Sequence, residues 1–247
     1  MHPVHVVFLG TGDAFSAGGR HQAAYLIESP EGSLLIDCGS TFLASLRRCN
    51  VLAEPIDAIF LSHFHGDHFA GLPFLFLHYI YIEPRSRPLR IIGPTGVESR
   101  VMTLFQAMYA DSAAEPLPYT LEFTEAQPQK QLFFSGMRIS PFIVPHQRHS
   151  SSLGCVIEAG GRKIVYTGDS GWTQDLVAHA QNADLFICEC SYFGTRLATH
   201  LDYPRIAENL ERFCAKRIVL THLGQEVLTR QQEVNLEMAY DGLTVVL

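Results

Sequence analysis

Three imidazoles and a carboxylate are packed into residues 63–68, which read HFHGDH. Neutral imidazole nitrogen and carboxylate oxygen are the usual protein ligands of zinc and related divalent transition metals. His63 and His65 are two residues apart, so in an extended segment they point to the same side. A glycine permits a sharp turn after them, and Asp67 and His68 fall where a helix could begin. We therefore predict a metal-binding segment, since a solvated polar loop has no reason to concentrate histidine in this way.

Residues of the ligand type also recur farther along the chain, each directly after an apolar run that is typical of a buried strand. The five such positions are His63, His146, Asp169, Glu189 and His222. In layered α/β proteins, functional sites are assembled from loops at the carboxyl ends of strands. Five strands that deliver such residues at the same end therefore imply one shared site.

Apolar runs and helical periodicity alternate along the chain, which predicts an α/β fold. Strands are predicted at 4–9, 23–28, 33–36, 56–61, 89–92, 119–123, 131–134, 138–144, 153–159, 163–166, 185–188 and 217–220, with hairpins formed by 23–36 and 153–166. Helices are predicted at 41–49, 96–110, 172–180 and 204–215. The aromatic-rich segment 70–82 is predicted to lie in the core, although part of it could wall a substrate pocket. Arg85, Arg87 and Arg90 follow that segment, either as solvated charges or as contacts for a substrate phosphate.

Composition sets the class of the protein. Of its 247 residues, 47% are apolar and 17% are charged, which is typical of a globular chain. No linker-like segment divides it, so we expect one domain over residues 1–247. No apolar run reaches transmembrane length and no basic leader precedes the first strand, which predicts a cytoplasmic protein without membrane association. The net charge of −7 and the pI near 5.9 argue against binding to long nucleic acid.

The six cysteines are scattered, and several lie inside apolar runs. In a chain without a secretory signal, such cysteines are expected to be reduced core residues and not a disulfide framework. Cys188 and Cys190 flank Glu189 but lack a second pair at zinc spacing, so we predict buried thiols there.

The ligand set resembles the metal-binding signature of the metallo-β-lactamase-fold hydrolases. The matching residues are His63, His65, Asp67, His68, His146, Asp169 and His222. The resemblance extends over residues 4–222 and includes the turn at 37–39. It implies a four-layer αββα sandwich, in which two mixed sheets lie face to face with helices outside.

The resemblance also implies a role for each ligand. The first metal ion is expected to be bound by His63, His65 and His146. The second is expected to be bound by Asp67, His68 and His222, with Asp169 bridging the two. The cofactor implied is a pair of divalent ions, zinc as the first expectation and manganese or iron as alternatives. Two such ions lower the pKa of a bridging water and hold it as hydroxide.

Glu189 and His200 indicate the branch of the family. They resemble a glutamate and a histidine of the phosphodiesterase branch that includes the transfer-RNA endonuclease RNase Z. We therefore count His200, Glu189 and Asp67 as catalytic, although a core or helix-flanking histidine is the alternative for His200. An aspartate at 169, where the lactam-hydrolysing members use cysteine, disfavours a β-lactamase, and His65 in place of glutamate disfavours redox chemistry.

The chain also departs from RNase Z. Only the 22 residues of segment 147–168 separate His146 from Asp169, which leaves no room for the arm that grips transfer RNA. The segment after Gly39 also lacks the family's usual acidic-glycine continuation. With the acidic pI, this favours a small or short phosphodiester as substrate. The resemblance allows a homodimer.

Three alternatives remain open. The same metal pair could hydrolyse a thioester or lactone, as in glyoxalase II relatives, although the 25 residues after His222 are fewer than their helical domain needs. Segment 168–171, GDSG, resembles the nucleophile motif of chymotrypsin-like serine proteases, with Ser170 as the nucleophile. A metal-stabilised scaffold without catalysis is the third.

Overall fold

Two mixed β-sheets form the centre of the computed structural model, which describes residues 3–128 and 130–247. The first sheet has the order β14-β1-β2-β3-β4-β5-β6. Its strands are β1 (His5–Gly10), β2 (Ala24–Ser29), β3 (Gly32–Ile36), β4 (Ala58–Phe60), β5 (Leu89–Gly93), β6 (Leu121–Glu125) and β14 (Leu243–Val246). The second sheet has the order β13-β12-β11-β10-β9-β8-β7. Its strands are β7 (Leu132–Phe134), β8 (Met137–Val144), β9 (Ser152–Ala159), β10 (Arg162–Tyr166), β11 (Leu185–Glu189), β12 (Ile218–Thr221) and β13 (Glu237–Met238).

The two sheets repeat one pattern of pairing. Strands β3 to β6 are parallel to one another, and so are strands β10 to β13. The remaining neighbours are antiparallel, including both predicted hairpins, β2–β3 and β9–β10. The parallel strands end at one edge of each sheet, which is where the loops that carry polar side chains emerge.

Alternating side chains give each sheet two buried faces. In β1, Val6 and Phe8 join the core between the sheets, whereas Val7 and Leu9 face the helices. The second sheet contributes residues such as Ile164 and Tyr166 to the same central core. Because both faces are covered, the strands appear in the sequence as continuous apolar runs and not as alternating ones. Each fully buried side chain of this size contributes about 1.5–3 kcal/mol.

Helices cover the outer faces of both sheets. Those on the first sheet are α1 (Phe42–Cys49), α2 (Gly66–Phe69), α3 (Leu72–Tyr81), α4 (Val97–Met108) and α5 (Ala110–Ala114). Those on the second are α6 (Gln174–Ala180), α7 (Tyr203–Glu208), α8 (Leu210–Phe213) and α9 (Gln225–Thr229). The predicted four-layer αββα sandwich is therefore confirmed. Across the described ranges, no helix combines the length and the apolarity that crossing a membrane requires.

The predicted helix at 204–215 is interrupted. It divides at Asn209 into α7 and α8. The side-chain amide of Asn209 donates to the carbonyl of Arg205 at 2.9 Å, which is the acceptor that the backbone N–H of Asn209 would use in a continuous helix. The backbone N–H bonds to Ile206 instead.

The prediction of solvated arginines is wrong for Arg85. Only 2% of this residue is exposed, and its guanidinium donates to the carbonyl oxygens of Glu54, Arg87 and Pro88 at 2.6–3.0 Å. Arg87 pairs with Glu54 and Asp57, and Arg90, which lies on β5, pairs with Glu122. Arg85 and Arg87 therefore join loops of the first sheet and Arg90 pairs across the neighbouring strands β5 and β6, so the alternative of phosphate contacts is not supported.

Candidate active site

The ligand-type residues that follow the strands meet at one edge of the sandwich. His63 follows β4 of the first sheet, and four others come from β8, β10, β11 and β12 of the second. Asp67 and His68 lie at the start of α2, one turn beyond His63. The structure brings all seven predicted ligands together in two clusters that share Asp169.

The first cluster contains His63, His65, His146 and Asp169. Oδ2 of Asp169 lies 3.9 Å from Nε2 of His63 and 3.7 Å from Nε2 of His146. His65 differs from these two histidines because its Nδ1, and not its Nε2, faces the cluster. This Nδ1 lies 3.1 Å from Nε2 of His146. Three imidazoles and one carboxylate oxygen therefore face a common point.

The second cluster contains Asp67, His68, His222 and the other oxygen of Asp169. Nε2 of His68 lies 3.3 Å from both Asp67 Oδ2 and Asp169 Oδ1. Nε2 of His222 lies 3.3 Å and 3.4 Å from the same two oxygens. Ligands placed 2.0–2.1 Å from a tetrahedral zinc ion are about 3.3–3.4 Å apart, so this spacing fits a divalent cation.

Unpaired polar atoms support the same conclusion. His63 Nε2, His68 Nε2 and Asp169 Oδ1 are buried and have no hydrogen-bond partner among the residues that the structure describes. Leaving a buried polar atom unpaired costs about 1–3 kcal/mol. Divalent cations at the two clusters would satisfy all three atoms, so the donor set fits metal ions of this class.

In three of the histidine ligands, a hydrogen bond to the ring nitrogen that faces away from the cluster determines which nitrogen is free to bind a metal ion. His146 Nδ1 lies 2.9 Å from the carbonyl oxygen of Thr199, which can only accept, so Nδ1 carries the proton and Nε2 offers a lone pair. His222 Nδ1 is held by Ser191 Oγ at 3.0 Å, and His68 Nδ1 is held by a carboxylate oxygen of Asp37 at 2.8 Å. Such partners orient the imidazole and raise its basicity toward a metal.

Asp37 is the centre of this supporting network. It lies just after β3, in the left-handed region at φ 56°, and is completely buried. Besides His68, it accepts from the backbone N–H and the hydroxyl of Ser62 at 2.7 and 2.8 Å and from Tyr166 Oη at 2.7 Å. Ser62 in turn holds Nδ1 of His63 at 3.0 Å. One carboxylate therefore positions ligands of both clusters.

Electrostatics keep the acidic ligands ionised. Burial raises the pKa of Asp67, but the neighbouring imidazoles, above all the charge of His68, outweigh it and hold the pKa well below its usual range. Burial lowers the pKa of His63, His65 and His146, so these rings are neutral at pH 7 and ready to bind a cation.

Glu189 and His200 lie beside the two clusters. Nδ1 of His200 is 3.1 Å from Oε1 of Glu189, whose side chain is 1% exposed. Glu189 also accepts from the backbone N–H groups of Ser170 and Ser191 and from the Ser191 hydroxyl. Burial lowers the pKa of His200, but the hydrogen bond and charge of Glu189 raise it more, so the net shift is upward. The imidazole of His200 packs edge-to-face against that of His146, with ring centroids 4.8 Å apart.

A cleft of about 500 Å³ opens over these residues. Ligands of both clusters and His200 line its floor, and no lysine or arginine is among the described residues that line it. Ser170 does not face it as a nucleophile: the residue is completely buried and its hydroxyl donates to the Gly171 carbonyl at 2.6 Å. The serine-protease alternative is therefore wrong.

Sequence reasoning did not assign the residues that support the ligands, namely Asp37, Ser62, Tyr166, Ser191 and Thr199. Two of them carried a usable signal, because Asp37 and Ser62 follow strands β3 and β4 in the same way as the ligands follow theirs. Thr199 acts through its backbone carbonyl, which no side-chain pattern could indicate.

The αββα sandwich with two histidine–aspartate clusters at the shared edge of its sheets defines a metallo-β-lactamase-fold, metal-dependent hydrolase. Residues 4–240 match the model of a family described as anti-Pycsar protein Apyc1. The chain belongs to this family.

Comparison with individual proteins agrees with this assignment. A ribonuclease Z of Agathobacter rectalis is 26% identical, and the match covers 90% of this chain and 88% of that protein. A probable metallo-hydrolase of Bacillus subtilis, YhfI, is 27% identical over 88% of this chain and 86% of its own length. The crystal structure of YhfI superposes with a TM-score of 0.80 at 26% identity and full coverage of both chains. The short form of human tRNase Z gives a TM-score of 0.79 at 26% identity, with 98% of both chains covered. The prediction of an RNase Z-like hydrolase of this fold is confirmed.

Proposed function

We propose that the protein is a dinuclear metal-dependent phosphodiesterase that acts on a small or short phosphodiester. The observation that carries the proposal is the Glu189–His200 pair, held at 3.1 Å beside two clusters whose spacing suits divalent ions. The relatives named ribonuclease Z support phosphodiester chemistry over the thioester and lactone alternatives.

The proposed ligands divide as the clusters do. One ion would be held by His63, His65 and His146. The other would be held by Asp67, His68 and His222, and each oxygen of Asp169 faces one of the two clusters. Zinc is the proposed metal because five imidazoles and two carboxylates form a donor set that it favours, with manganese and iron as alternatives.

When bound, the two ions would supply Lewis acidity and a water of lowered pKa as the nucleophile. Side chains of the protein hold the reacting groups in place and assist the departure of the leaving oxygen. The pKa values of Asp67 and Asp169 are lowered, so both are anions at neutral pH, and their negative charge would hold divalent cations at the base of the cleft. His200, oriented by Glu189 through Nδ1, presents its other nitrogen to the departing oxygen and donates a hydrogen bond or a proton to it.

The cleft limits the size and charge of the substrate. Long nucleic acids are bound mainly by lysine and arginine contacts to phosphates. No such side chain is among the described cleft residues, and the chain as a whole carries a net charge of −7. A single phosphodiester held by the metal ions needs no further cation, which is why we favour a small substrate over transfer RNA.

Three further features belong to the same proposal: a single catalytic domain over residues 1–247, a cytoplasmic location and a homodimer. All six cysteines are free thiols, four of them buried, which supports a reducing compartment. Sedimentation of the metal-loaded protein at micromolar concentration would test the homodimer.

The first experiment is hydrolysis of bis(p-nitrophenyl) phosphate by protein reloaded with zinc or manganese. The monoester p-nitrophenyl phosphate and a glutathione thioester serve as comparators. A preference for the diester over both comparators is the result expected of a phosphodiesterase. Thioester turnover without diester turnover would refute the phosphodiesterase proposal and leave the metal site intact.

A further inference from the structure

The outer part of the cleft is not occupied by the ligands or by the Glu189–His200 pair. Asp13, Ala14 and Phe15 line it from the loop that follows β1, and Tyr192 and Leu197 line it from the segment that follows β11. This part of the cleft is therefore walled by two aromatic rings and an aliphatic side chain, next to the proposed site of hydrolysis.

Phe15 is the most exposed large apolar side chain that the structure describes, at 87%. A phenyl ring that remains in solvent contributes no hydrophobic stabilisation to the fold. Large apolar groups exposed at a cleft are typical of binding surfaces. Its position is not a consequence of core packing, since Phe15 belongs to none of the buried apolar clusters found among the described residues.

The backbone under Phe15 is held firmly. Asp13 Oδ1 accepts from the N–H groups of Phe15 and Ala17 at 3.1 and 3.0 Å. The backbone of Ser16 is in the left-handed region at φ 54°, a conformation that costs free energy in residues other than glycine. At the base of the loop, Thr11 Oγ1 donates to Asp241 at 2.7 Å. The fold therefore constrains the backbone and leaves the ring projecting into the cleft mouth.

The charge of the outer part of the cleft determines which substrate groups can bind there. The two carboxylates that line it, Asp13 and Glu226, already accept backbone N–H groups, and no lysine or arginine is among the described lining residues. A second phosphate would be repelled there, whereas a flat, uncharged ring gains from stacking on an aromatic side chain.

We propose that Phe15 is a specificity-determining residue, whose ring stacks on a planar, uncharged aromatic ring carried by one of the ester groups of the phosphodiester substrate. This inference rests on the proposed function and adds the substrate class to it. Tyr192 and Leu197 complete the apolar wall, and the phosphate of the same substrate lies at the metal clusters.

The test compares two phosphodiesters as competitive inhibitors of bis(p-nitrophenyl) phosphate hydrolysis by the zinc-loaded protein. Diphenyl phosphate carries planar rings and dimethyl phosphate does not, while both carry one negative charge. In Phe15→Ala, the inhibition constant of diphenyl phosphate should rise at least about fivefold, the lower end of the range for aromatic stacking on a base. That of dimethyl phosphate should stay within about twofold, because it makes no stacking contact.

Two variants make the result specific. Phe15→Trp should keep the selectivity for diphenyl phosphate, since indole also stacks. Phe133→Ala is the matched control, because Phe133 is 69% exposed on β7 and lies outside the cleft lining. Equal inhibition constants in the wild type and Phe15→Ala, or an equal rise for both inhibitors, would overturn the inference. Failure of the wild type to hydrolyse any diester would instead refute the proposed function, so the two outcomes are distinguishable.

Discussion

Oε1 of Glu189 lies 3.1 Å from Nδ1 of His200, so that a buried carboxylate orients an imidazole at the edge of the cleft. Backbone N–H groups of Ser170 and Ser191 hold the same carboxylate, which fixes it against both the β10 and the β11 ends of the second sheet. The pair is thus fixed by the scaffold, and it is linked to the metal ligands through Ser191, whose hydroxyl contacts both Glu189 and Nδ1 of His222.

Replacing His200 with alanine should lower kcat by about 10²–10⁴-fold, the usual scale of acid–base assistance, while both metal ions are retained. The loss should be larger for a diester with an alkoxide leaving group than for bis(p-nitrophenyl) phosphate, because p-nitrophenolate departs without a proton. Metal content by atomic spectroscopy and kcat for both substrates are the measurements. His149→Ala, at an exposed histidine three residues after His146, is the control. Unchanged kcat on both substrates would contradict the role.

Replacing Asp169 with alanine should abolish hydrolysis and lower the metal content, because each of its oxygens faces a different cluster. The measurement is metal stoichiometry after dialysis, together with initial rates on bis(p-nitrophenyl) phosphate. Asp175→Ala is the matched control, since Asp175 is an exposed aspartate in the first turn of α6. Full activity in metal-depleted Asp169→Ala protein would exclude the metal-dependent mechanism.

Replacing Asp37 with asparagine should weaken zinc binding about 10–100-fold, the usual effect of losing the partner of a ligating histidine. The amide would place an N–H₂ group against donors from Ser62, His68 and Tyr166, and an unpaired buried polar group costs about 1–3 kcal/mol of unfolding free energy. Competition with a chromophoric chelator and thermal unfolding of the metal-free protein measure the two effects. Tyr166→Phe removes one donor only and should show a smaller change. Equal zinc affinity in the wild type and Asp37→Asn would show that Asp37 does not support the zinc ligands.

Glu226 should make the segment after β11 sensitive to acid. Its carboxylate accepts from the Thr195 hydroxyl and from the N–H groups of Phe193, Gly194 and Thr195, and these bonds lower its pKa to about 2. A pKa lowered by folding contributes stability above the unfolded pKa of about 4.3, and this contribution is lost as the pH falls toward the folded value. Amide exchange in residues 193–195 should therefore become less protected from about pH 5 downward.

Glu226→Gln should remove that pH dependence, because the amide does not titrate. Glu233→Gln is the control, since Glu233 pairs with Arg230 in the same region and accepts no N–H group of the 193–195 segment. Identical pH profiles of exchange in the wild type and Glu226→Gln would show that the carboxylate does not anchor this segment.

Much of the fold could be predicted from local pattern. The strands at 23–28, 33–36, 153–159 and 163–166 were found because their apolar runs are bounded by turn residues, and they pair as the predicted hairpins. Strands β13 and β14 carried no comparable signal. β13 has two residues, and β14 becomes a strand by pairing with β1 from the other end of the chain, a contact that no local window contains. The burial of Arg85 likewise depends in part on a group far away in the sequence, the carbonyl oxygen of Glu54.

The sequence by itself determined which residues can bind metal, because imidazole and carboxylate chemistry is a property of the side chain and the apolar runs show where the strands end. The resemblance already implied that Asp169 serves both clusters. Only the tertiary structure decided that Asp37 supports His63 through Ser62 and contacts His68 directly, and that Phe15 stands at the cleft mouth. These are relations between residues from different strands and sheets, and the packing of the two sheets against each other sets their distances.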